Sequence, residues 1–229
     1  MMICLVTDRR RLSGGRAAFA DARRCLVTQA RYAVAAGIHL IQLRERDLEA
    51  ADLAAVARDL LDITRGTPTR LVVNDRLDVA LACGADGVHL RGDSIPVAAA
   101  RRLAPEGFLI GRSVHGVDDA DQAAGADYLI AGTVFPTASK PASQPLLGLD
   151  GLRTIVSAAR VPVLAIGGIT EAACDDVAGA GAAGVAAIGL FMAAEVDPRA
   201  SAPPPCAAIP LADIVDRARV RFDSVLRRP

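Results

Sequence analysis

Eight short apolar runs alternate with longer Ala- and Leu-rich stretches along the chain, and this alternation constrains the fold more than any other feature. The runs are nearly continuous in apolar residues, as expected of parallel strands that are covered on both faces. Strands are predicted at Ile3–Thr7, His39–Arg44, Arg70–Asn74, Gly87–Leu90, Leu109–Ser113, Tyr128–Gly132, Val163–Gly167 and Val185–Gly189. Repeated β–α units therefore predict an α/β protein.

A helix is predicted after each strand, and several strands are introduced by a glycine that follows the preceding helix. The helices are expected at about Ala17–Ala36, Glu49–Thr64, Leu77–Cys83, Val97–Leu103, Val117–Gly125, Gly151–Ala159, Glu171–Gly179 and Leu211–Leu226. Because no domain-scale interruption separates the units, residues 1–229 are predicted to form one domain, a single (β/α)8 TIM barrel. An open, doubly wound sheet is the alternative, but no G-x-G-x-x-G motif follows the first strand.

The charge balance argues against a nucleic-acid partner. Lys+Arg and Asp+Glu are both 26, and the chain has no tryptophan and only 3% aromatic residues for stacking on bases. No apolar stretch is long enough to span a bilayer, and the first basic residues follow the initial apolar run, whereas those of a signal peptide precede it. We therefore expect a cytoplasmic protein without membrane contact. Both a monomer and a homo-oligomer are compatible with the sequence.

Two segments interrupt the regular alternation. The polar loop 137–149 follows the sixth predicted strand, is long enough to be an active-site flap, and contains Lys140, the only lysine of the chain. Residues 196–210 are rich in proline and alanine and are interpreted as a connection to the last helix. The five cysteines show no metal-binding spacing and are expected to be reduced and mostly buried.

Polar residues concentrate where the predicted strands end, which in a barrel indicates catalysis or binding. Arg44 and Arg46 flank one strand end and are candidates for binding phosphate or pyrophosphate. Asp75 is a candidate ligand for a metal or substrate, or alternatively a helix cap. His115 is a candidate catalytic base, with Ser113 pointing to the same side.

The other two histidines have simpler interpretations. His89 is either a barrel-core residue or a functional one, and His39, at the start of a strand, is interpreted as structural.

Two glycine-containing turns predict a phosphate site. Barrels commonly bind phosphate with backbone N–H groups in the loops after the seventh and eighth strands. Gly167 and Gly168 follow the seventh predicted strand, and Ile188 and Gly189 end the eighth. Glycine allows a ligand to approach the backbone without obstruction by a Cβ atom.

Six motifs in this order resemble those of thiamine phosphate synthase and its paralogue, the thiazole tautomerase (TenI), from about residue 3 to residue 195. The motifs are Gln42-Leu43-Arg44-Glu45-Arg46, Asn74-Asp75-Arg76, Gly84-Ala85-Asp86-Gly87-Val88-His89-Leu90, Gly111-Arg112-Ser113-Val114-His115, Val134-Phe135-Pro136-Thr137-Ala138-Ser139-Lys140 and Ala165-Ile166-Gly167-Gly168-Ile169.

The resemblance implies one of two reactions. The synthase joins hydroxymethylpyrimidine pyrophosphate to a thiazole phosphate with Mg²⁺ and releases pyrophosphate, whereas the tautomerase moves a proton to aromatise a thiazole carboxylate phosphate and needs no cofactor. It also implies catalytic roles for His115, Ser113 and Arg44, and metal binding by Asp75; Asp93, one residue before the place of the family's second carboxylate, is a further candidate metal ligand. The implied substrate- and phosphate-binding residues are Gln42, Arg44, Arg46, Asn74, Thr137, Ser139, Lys140, Gly168, Ile188 and Gly189.

Departures from the synthase pattern favour the tautomerase. The synthase pattern after His-Leu is Gly-Gln-x-Asp; here Ser94 takes the place of that carboxylate, and Asp93 lies one residue early. Arg46 replaces a lysine and Gly189 a serine. The tautomerase is more similar in three features: Ser94, Arg44-Glu45-Arg46 and Gly111-Arg112-Ser113-Val114-His115. It is therefore the leading hypothesis and a Mg²⁺-dependent synthase the alternative. A catalytically silent module that binds the same phosphates is a third.

Overall fold

The structure, a computed structural model, describes residues 1–15, 17–137, 145–192 and 209–226. Within these ranges each strand pairs in parallel with the next, and the last pairs with the first, so that the sheet closes into a barrel. The strands are β1 (Met2–Val6), β2 (Leu40–Leu43), β3 (Arg70–Asn74), β4 (Gly87–Leu90), β5 (Leu109–Val114), β6 (Tyr128–Gly132), β7 (Val163–Ile166) and β8 (Gly184–Ala187). The predicted (β/α)8 barrel is confirmed.

The helices lie outside the barrel and alternate with the strands. They are α1 (Arg9–Leu12), α2 (Phe19–Ala35), α3 (Ala50–Thr64), α4 (Leu77–Cys83), α5 (Val97–Leu103), α6 (Val117–Asp121), α7 (Gly148–Ala158), α8 (Ala173–Gly179) and α9 (Ala212–Leu226). None of the helices in these ranges is long and apolar enough to cross a bilayer. Most of the Pro/Ala-rich connection falls in 193–208, outside the described residues.

The observed elements differ from the predicted ones in a few places. The short helix α1 was not predicted; its first turn is capped by the Asp8 carboxylate, which accepts a hydrogen bond from the Arg11 backbone N–H at 3.0 Å. Strand β8 ends at Ala187, and a 3₁₀ turn begins at Gly189, so the predicted last two residues of that strand lie in the following loop. Helix α6 is four residues shorter than predicted, ending at Asp121 rather than Gly125.

Side chains of each strand alternate between two cores. Outward-facing residues such as Leu5, Ile41 and Val73 pack against the helices in a large core. Inward-facing apolar residues fill the barrel interior, which is a packed core and not a pore. They are Cys4, Val6, Leu40, Val72, Tyr128, Ile130, Leu164 and Ala186. The same alternation turns Gln42, Asn74, His89 and Ser113 inward at the carboxyl ends of their strands.

A glycine inside the barrel makes room for an aromatic pair. A Cβ atom at Gly111 would lie 2.2 Å from Tyr128 Cζ and 2.5 Å from His89 Nδ1. The two rings stack with centroids 5.6 Å apart. Only glycine at this position of β5 is compatible with both rings, which together lie beneath the carboxyl-end opening of the barrel.

Candidate active site

A cavity of about 1250 Å³ opens at the carboxyl ends of the strands. Most of the residues singled out in the sequence line it: Gln42, Arg44, Arg46, Asn74, Asp93, Ser113, His115, Thr137, Gly168, Ile188 and Gly189. Asp75 lies beside this lining but is not part of it. Ser139 and Lys140 lie outside the described residues. The loops therefore bring together residues that are up to 147 positions apart, Gln42 and Gly189.

The guanidinium groups of Arg44 and Arg46 supply positive charge to one wall of the cavity. Arg44 is half-buried, and its backbone N–H donates to Thr7 Oγ1 at 2.9 Å. Burial, and next the charge of Arg46, lower the pKa of Arg44. Within the described part of the chain neither arginine forms a salt bridge. Arginine side chains that line a cavity and have no carboxylate partner are well placed to bind a phosphate group bidentately.

A buried ion cluster fixes the loop that carries these two arginines. Glu45, between them in sequence, is 6% exposed and accepts hydrogen bonds from Thr7 Oγ1 at 2.7 Å and from the Arg9 backbone N–H and Nη1, both at 3.0 Å. Arg9 also donates to both carboxylate oxygens of Asp47, at 2.6 and 2.5 Å.

Burial and hydrogen bonding shift the pKa values of the two carboxylates in this cluster in opposite directions. Burial raises the pKa of Glu45, while the hydrogen bond from Arg9 lowers the pKa of Asp47 to about 2. The cluster joins the loop after β1 to the loop after β2. Sequence reasoning missed Thr7, Arg9 and Asp47, since nothing in the sequence marks partners that lie 36 to 38 residues apart.

His89 holds Ser113 beneath the cavity. The imidazole is 2% exposed, its Nε2 lies 2.9 Å from Ser113 Oγ, and its Nδ1 lies 3.3 Å from the Tyr128 hydroxyl. Burial, and next the charge of Arg112, lower the pKa of His89 to about 3. The ring is therefore neutral near pH 7, with one nitrogen donating and the other accepting. The interpretation as a barrel-core residue is confirmed by this burial, and because His89 also lines the cavity its functional role stays a prediction.

His115 lies at the rim of the cavity. Its backbone N–H donates to Asp119 Oδ2 at 2.8 Å, and its ring Nδ1 is hydrogen-bonded to the Gly132 carbonyl oxygen. Because a carbonyl oxygen only accepts, Nδ1 carries the proton of the neutral ring and Nε2 is left as an acceptor. Ser113 and His115 line the same cavity, as their spacing predicted.

Asp75 has an unusual backbone and an unsatisfied oxygen. Its φ of 64° lies in the left-handed region, which is uncommon for residues other than glycine. Its Oδ1 is buried and has no hydrogen-bond partner among the described residues. The alternative role as a helix cap is wrong, since the residue at the N-terminus of α4 is Arg76 and no side chain caps that helix.

Arg91 joins the two carboxylates that are candidate metal ligands. Its Nη1 lies 3.5 Å from Asp75 Oδ2, and its Nη2 lies 2.5 Å from Asp93 Oδ2. Among the residues that the structure describes, no three His, Cys, Asp or Glu side chains cluster as metal ligands. Mg²⁺, however, commonly binds through one or two carboxylates together with substrate phosphates and water. The free Oδ1 of Asp75 and the nearby Asp93 carboxylate fit such a site.

The two glycine turns differ in how much space they leave. Gly168 has a φ of 64°, and a Cβ atom there would lie 2.4 Å from the Pro136 carbonyl oxygen. A Cβ atom at Gly189 would lie 3.7 Å from Arg11 Nη2, an ordinary contact distance. Arg11, which sequence reasoning missed, therefore adds a cation beside the second turn. Gly168 is required by packing as well as suited to backbone contact with a phosphate.

Comparison with known proteins gives consistent results. Residues 12–191 match a family model described as thiamine monophosphate synthase. A thiamine-phosphate synthase of Methanoregula boonei is 49% identical over 161 residues, which is 69% of this chain and 74% of the relative. A putative thiamine-phosphate synthase of Geobacter sulfurreducens is 43% identical over 197 residues, 85% of this chain and 88% of the relative.

A solved structure agrees with these sequence matches. The thiamine phosphate pyrophosphorylase from Pyrococcus furiosus superposes with a TM-score of 0.76 at 31% sequence identity, over 98% of this chain and 96% of that one.

Proposed function

This chain belongs to the thiamine monophosphate synthase family, enzymes of thiamine biosynthesis, and within that family we propose that it is the synthase itself. It would join hydroxymethylpyrimidine pyrophosphate to a thiazole phosphate and release pyrophosphate. The tautomerase, favoured by Ser94 and by the motifs that end at Arg46 and His115, finds no support among relatives named thiamine-phosphate synthase. The synthase, first weighed as the alternative, is the better supported reaction.

One observation carries the proposal: the cavity is lined by two arginines without a salt-bridge partner in the described ranges, and a carboxylate with an unsatisfied oxygen lies beside that lining. Arg44 and Arg46 form no salt bridge in the described ranges, and Asp75 Oδ1 is buried without a hydrogen-bond partner. A pyrophosphate with a divalent cation satisfies both, because its oxygens bind the guanidinium groups and its metal binds the carboxylate. A proton transfer alone would not require both.

Different residues of the chain would bind the two substrates. Arg44 and Arg46 bind the pyrophosphate, while Asp75 and Asp93 would hold Mg²⁺. The bound Mg²⁺ supplies further positive charge to the leaving oxygens. As the bond between the pyrimidine methylene and the pyrophosphate oxygen breaks, charge builds on those oxygens, and the two arginines stabilise it. The thiazole nitrogen then forms the new bond to the methylene carbon.

The thiazole phosphate would lie on the opposite side, against the backbone of Gly168, Ile188 and Gly189, with Arg11 nearby. Ser113, held by His89, and the side chains of Gln42 and Asn74 lie between the two ends. Roles for Thr137, Ser139 and Lys140 in binding phosphate remain predictions from the resemblance.

The deciding experiment mixes the purified protein with hydroxymethylpyrimidine pyrophosphate, thiazole phosphate and Mg²⁺ and measures thiamine phosphate. Product that disappears when Mg²⁺ is chelated is the expected result. If no product forms, the same protein is given the thiazole carboxylate phosphate. Turnover there, abolished in His115→Asn, would replace the synthase with the tautomerase. If the protein binds thiazole phosphate but catalyses neither reaction, the third hypothesis, a catalytically silent module that binds these phosphates, is supported.

A further inference from the structure

The contact between Arg91 and the two metal-site carboxylates has a consequence for cation binding. In the synthase pattern the residue after His-Leu is glycine, but here it is Arg91. Its side chain is 39% exposed and lies against Asp75 at 3.5 Å and Asp93 at 2.5 Å. One guanidinium thus contacts both groups that would bind Mg²⁺.

We propose that Arg91 is an internal counter-cation that competes with a divalent metal ion for Asp75 and Asp93 and weakens metal binding by the substrate-free protein. This inference rests on the proposed function, because it concerns the metal site of that reaction. The two carboxylates carry two negative charges, and Arg91 cancels one of them. A metal ion must therefore displace the guanidinium or bind beside a like charge, and either costs binding free energy.

A pyrophosphate bound in the cavity would favour displacement of Arg91 from the two carboxylates. Arg91 is close enough to Arg44 that its charge contributes to lowering the pKa of Arg44. Both side chains line the same cavity. A pyrophosphate bound at Arg44 would therefore attract Arg91 as well, and the departing guanidinium would leave Asp75 and Asp93 to the metal ion.

The loop that carries Asp93 is held in place independently of Arg91. Arg112 donates to the Ile95 carbonyl oxygen at 2.9 Å and to the Gly92 carbonyl oxygen at 2.8 Å. These bonds hold the loop from both sides of Asp93. Replacing Arg91 thus removes the competing charge without releasing the carboxylate.

The test measures Mn²⁺ binding to the whole, substrate-free protein by electron paramagnetic resonance. Arg91→Gln should bind Mn²⁺ about tenfold more tightly than the unmodified protein, because one like charge and its contacts with the carboxylates are gone. Arg91→Lys, which keeps the charge, should gain at most a small part of this. Arg76→Gln is the matched control, since Arg76 is the neighbour of Asp75 but bonds to Asp78 at 2.6 and 2.8 Å.

An affinity of Arg91→Gln that is unchanged or weaker, or equal to that of Arg76→Gln, would overturn the proposal. If Arg91→Gln does not fold, Arg91→Met replaces it: this variant also removes the positive charge but keeps an unbranched side chain, and it must show the same gain in Mn²⁺ affinity. No gain in a folded Arg91→Met counts against the proposal. No substrate is present, so failure of synthase turnover is a separate result.

Discussion

His89 Nε2 on strand β4 lies 2.9 Å from Ser113 Oγ on the adjacent strand β5, and this contact places a buried, neutral imidazole at the bottom of the candidate active site. The ring is fully enclosed, so protonating it in the folded protein requires burying a charge. The first prediction follows from this.

Acid should destabilise the protein through His89. The pKa of His89 is about 3 in the folded state and near the ordinary histidine value of 6.5 when unfolded, so between those pH values only the unfolded state binds the extra proton. Above pH 6.5 the titration of His89 does not reduce the free energy of unfolding, and below it this free energy falls as the pH drops towards 3. Between pH 7 and pH 5 the loss should be about 2 kcal/mol.

The measurement is urea unfolding of the unmodified protein and His89→Gln at both pH values. The side chain introduced by His89→Gln does not titrate, so the variant does not show this loss. The difference in unfolding free energy between the two proteins should therefore be about 2 kcal/mol smaller at pH 5 than at pH 7. Parallel pH profiles for the two proteins would disprove the assignment.

Removing Arg44 should impair use of the pyrophosphate substrate. A partly buried cation that binds an anion contributes about 2–5 kcal/mol, so Arg44→Gln should lower kcat/KM for that substrate roughly 30- to 4000-fold. The KM for thiazole phosphate should change little. Steady-state kinetics with each substrate varied in turn checks this, and Arg102→Gln, at an exposed position on α5, is the control. Equal losses for both substrates would place Arg44 elsewhere in the mechanism.

The two glycine turns should respond differently to alanine. Gly168→Ala forces a Cβ against the Pro136 carbonyl oxygen from a left-handed backbone and should destabilise the fold by about 1–3 kcal/mol. Gly189→Ala meets no close atom and should change stability by less than about 0.5 kcal/mol. Chemical unfolding of both variants tests this.

The phosphate role of the second turn is then testable without a folding defect. Calorimetry of thiazole phosphate binding to Gly189→Ala should give a weaker affinity. An unchanged affinity would remove Gly189 from the phosphate site. Gly168→Val, the more obvious choice from the sequence, cannot separate loss of the ligand from damage to the fold.

Breaking the ion cluster at Glu45 should affect both stability and substrate binding. Glu45→Gln removes the carboxylate that bonds to Thr7 and Arg9, and loss of one partner of a buried pair costs about 3–5 kcal/mol. Because the cluster fixes the loop of Arg44 and Arg46, the KM for the pyrophosphate substrate should also rise. Glu106→Gln, an exposed position, is the control. If Glu45→Gln is destabilised but has a normal KM, the ion cluster contributes to stability and not to substrate binding.

The sequence predicted the barrel well because strands covered on both faces leave a strong apolar signal, and β3, β4 and β6 match their predicted bounds. It also predicted the site residues at strand ends, since all parallel strands of a closed barrel end on the same side. The short α1 was missed because its capping residue, Asp8, was taken for part of a charged loop.

The sequence alone could not predict contacts between residues that lie far apart along the chain. The approach of His89 to Ser113 depends on which way each strand alternates and on the register between β4 and β5, and neither is written in a single strand. The left-handed backbone of Asp75 has no signature, since aspartate is compatible with several conformations. Arg91 could have been found, because a basic residue directly after β4 already departs from the glycine of the family pattern.

The absent side chain of Gly111 sets the depth of the cavity. By leaving room for His89 to stack on Tyr128, it lets the His89 ring close part of the bottom of the cavity. In the proposed reaction, the two substrates would enter from the rim and meet this ring, with their phosphate groups extending sideways to the loops. A residue without a side chain, which does not itself line the cavity, would thus limit how deeply both substrates bind.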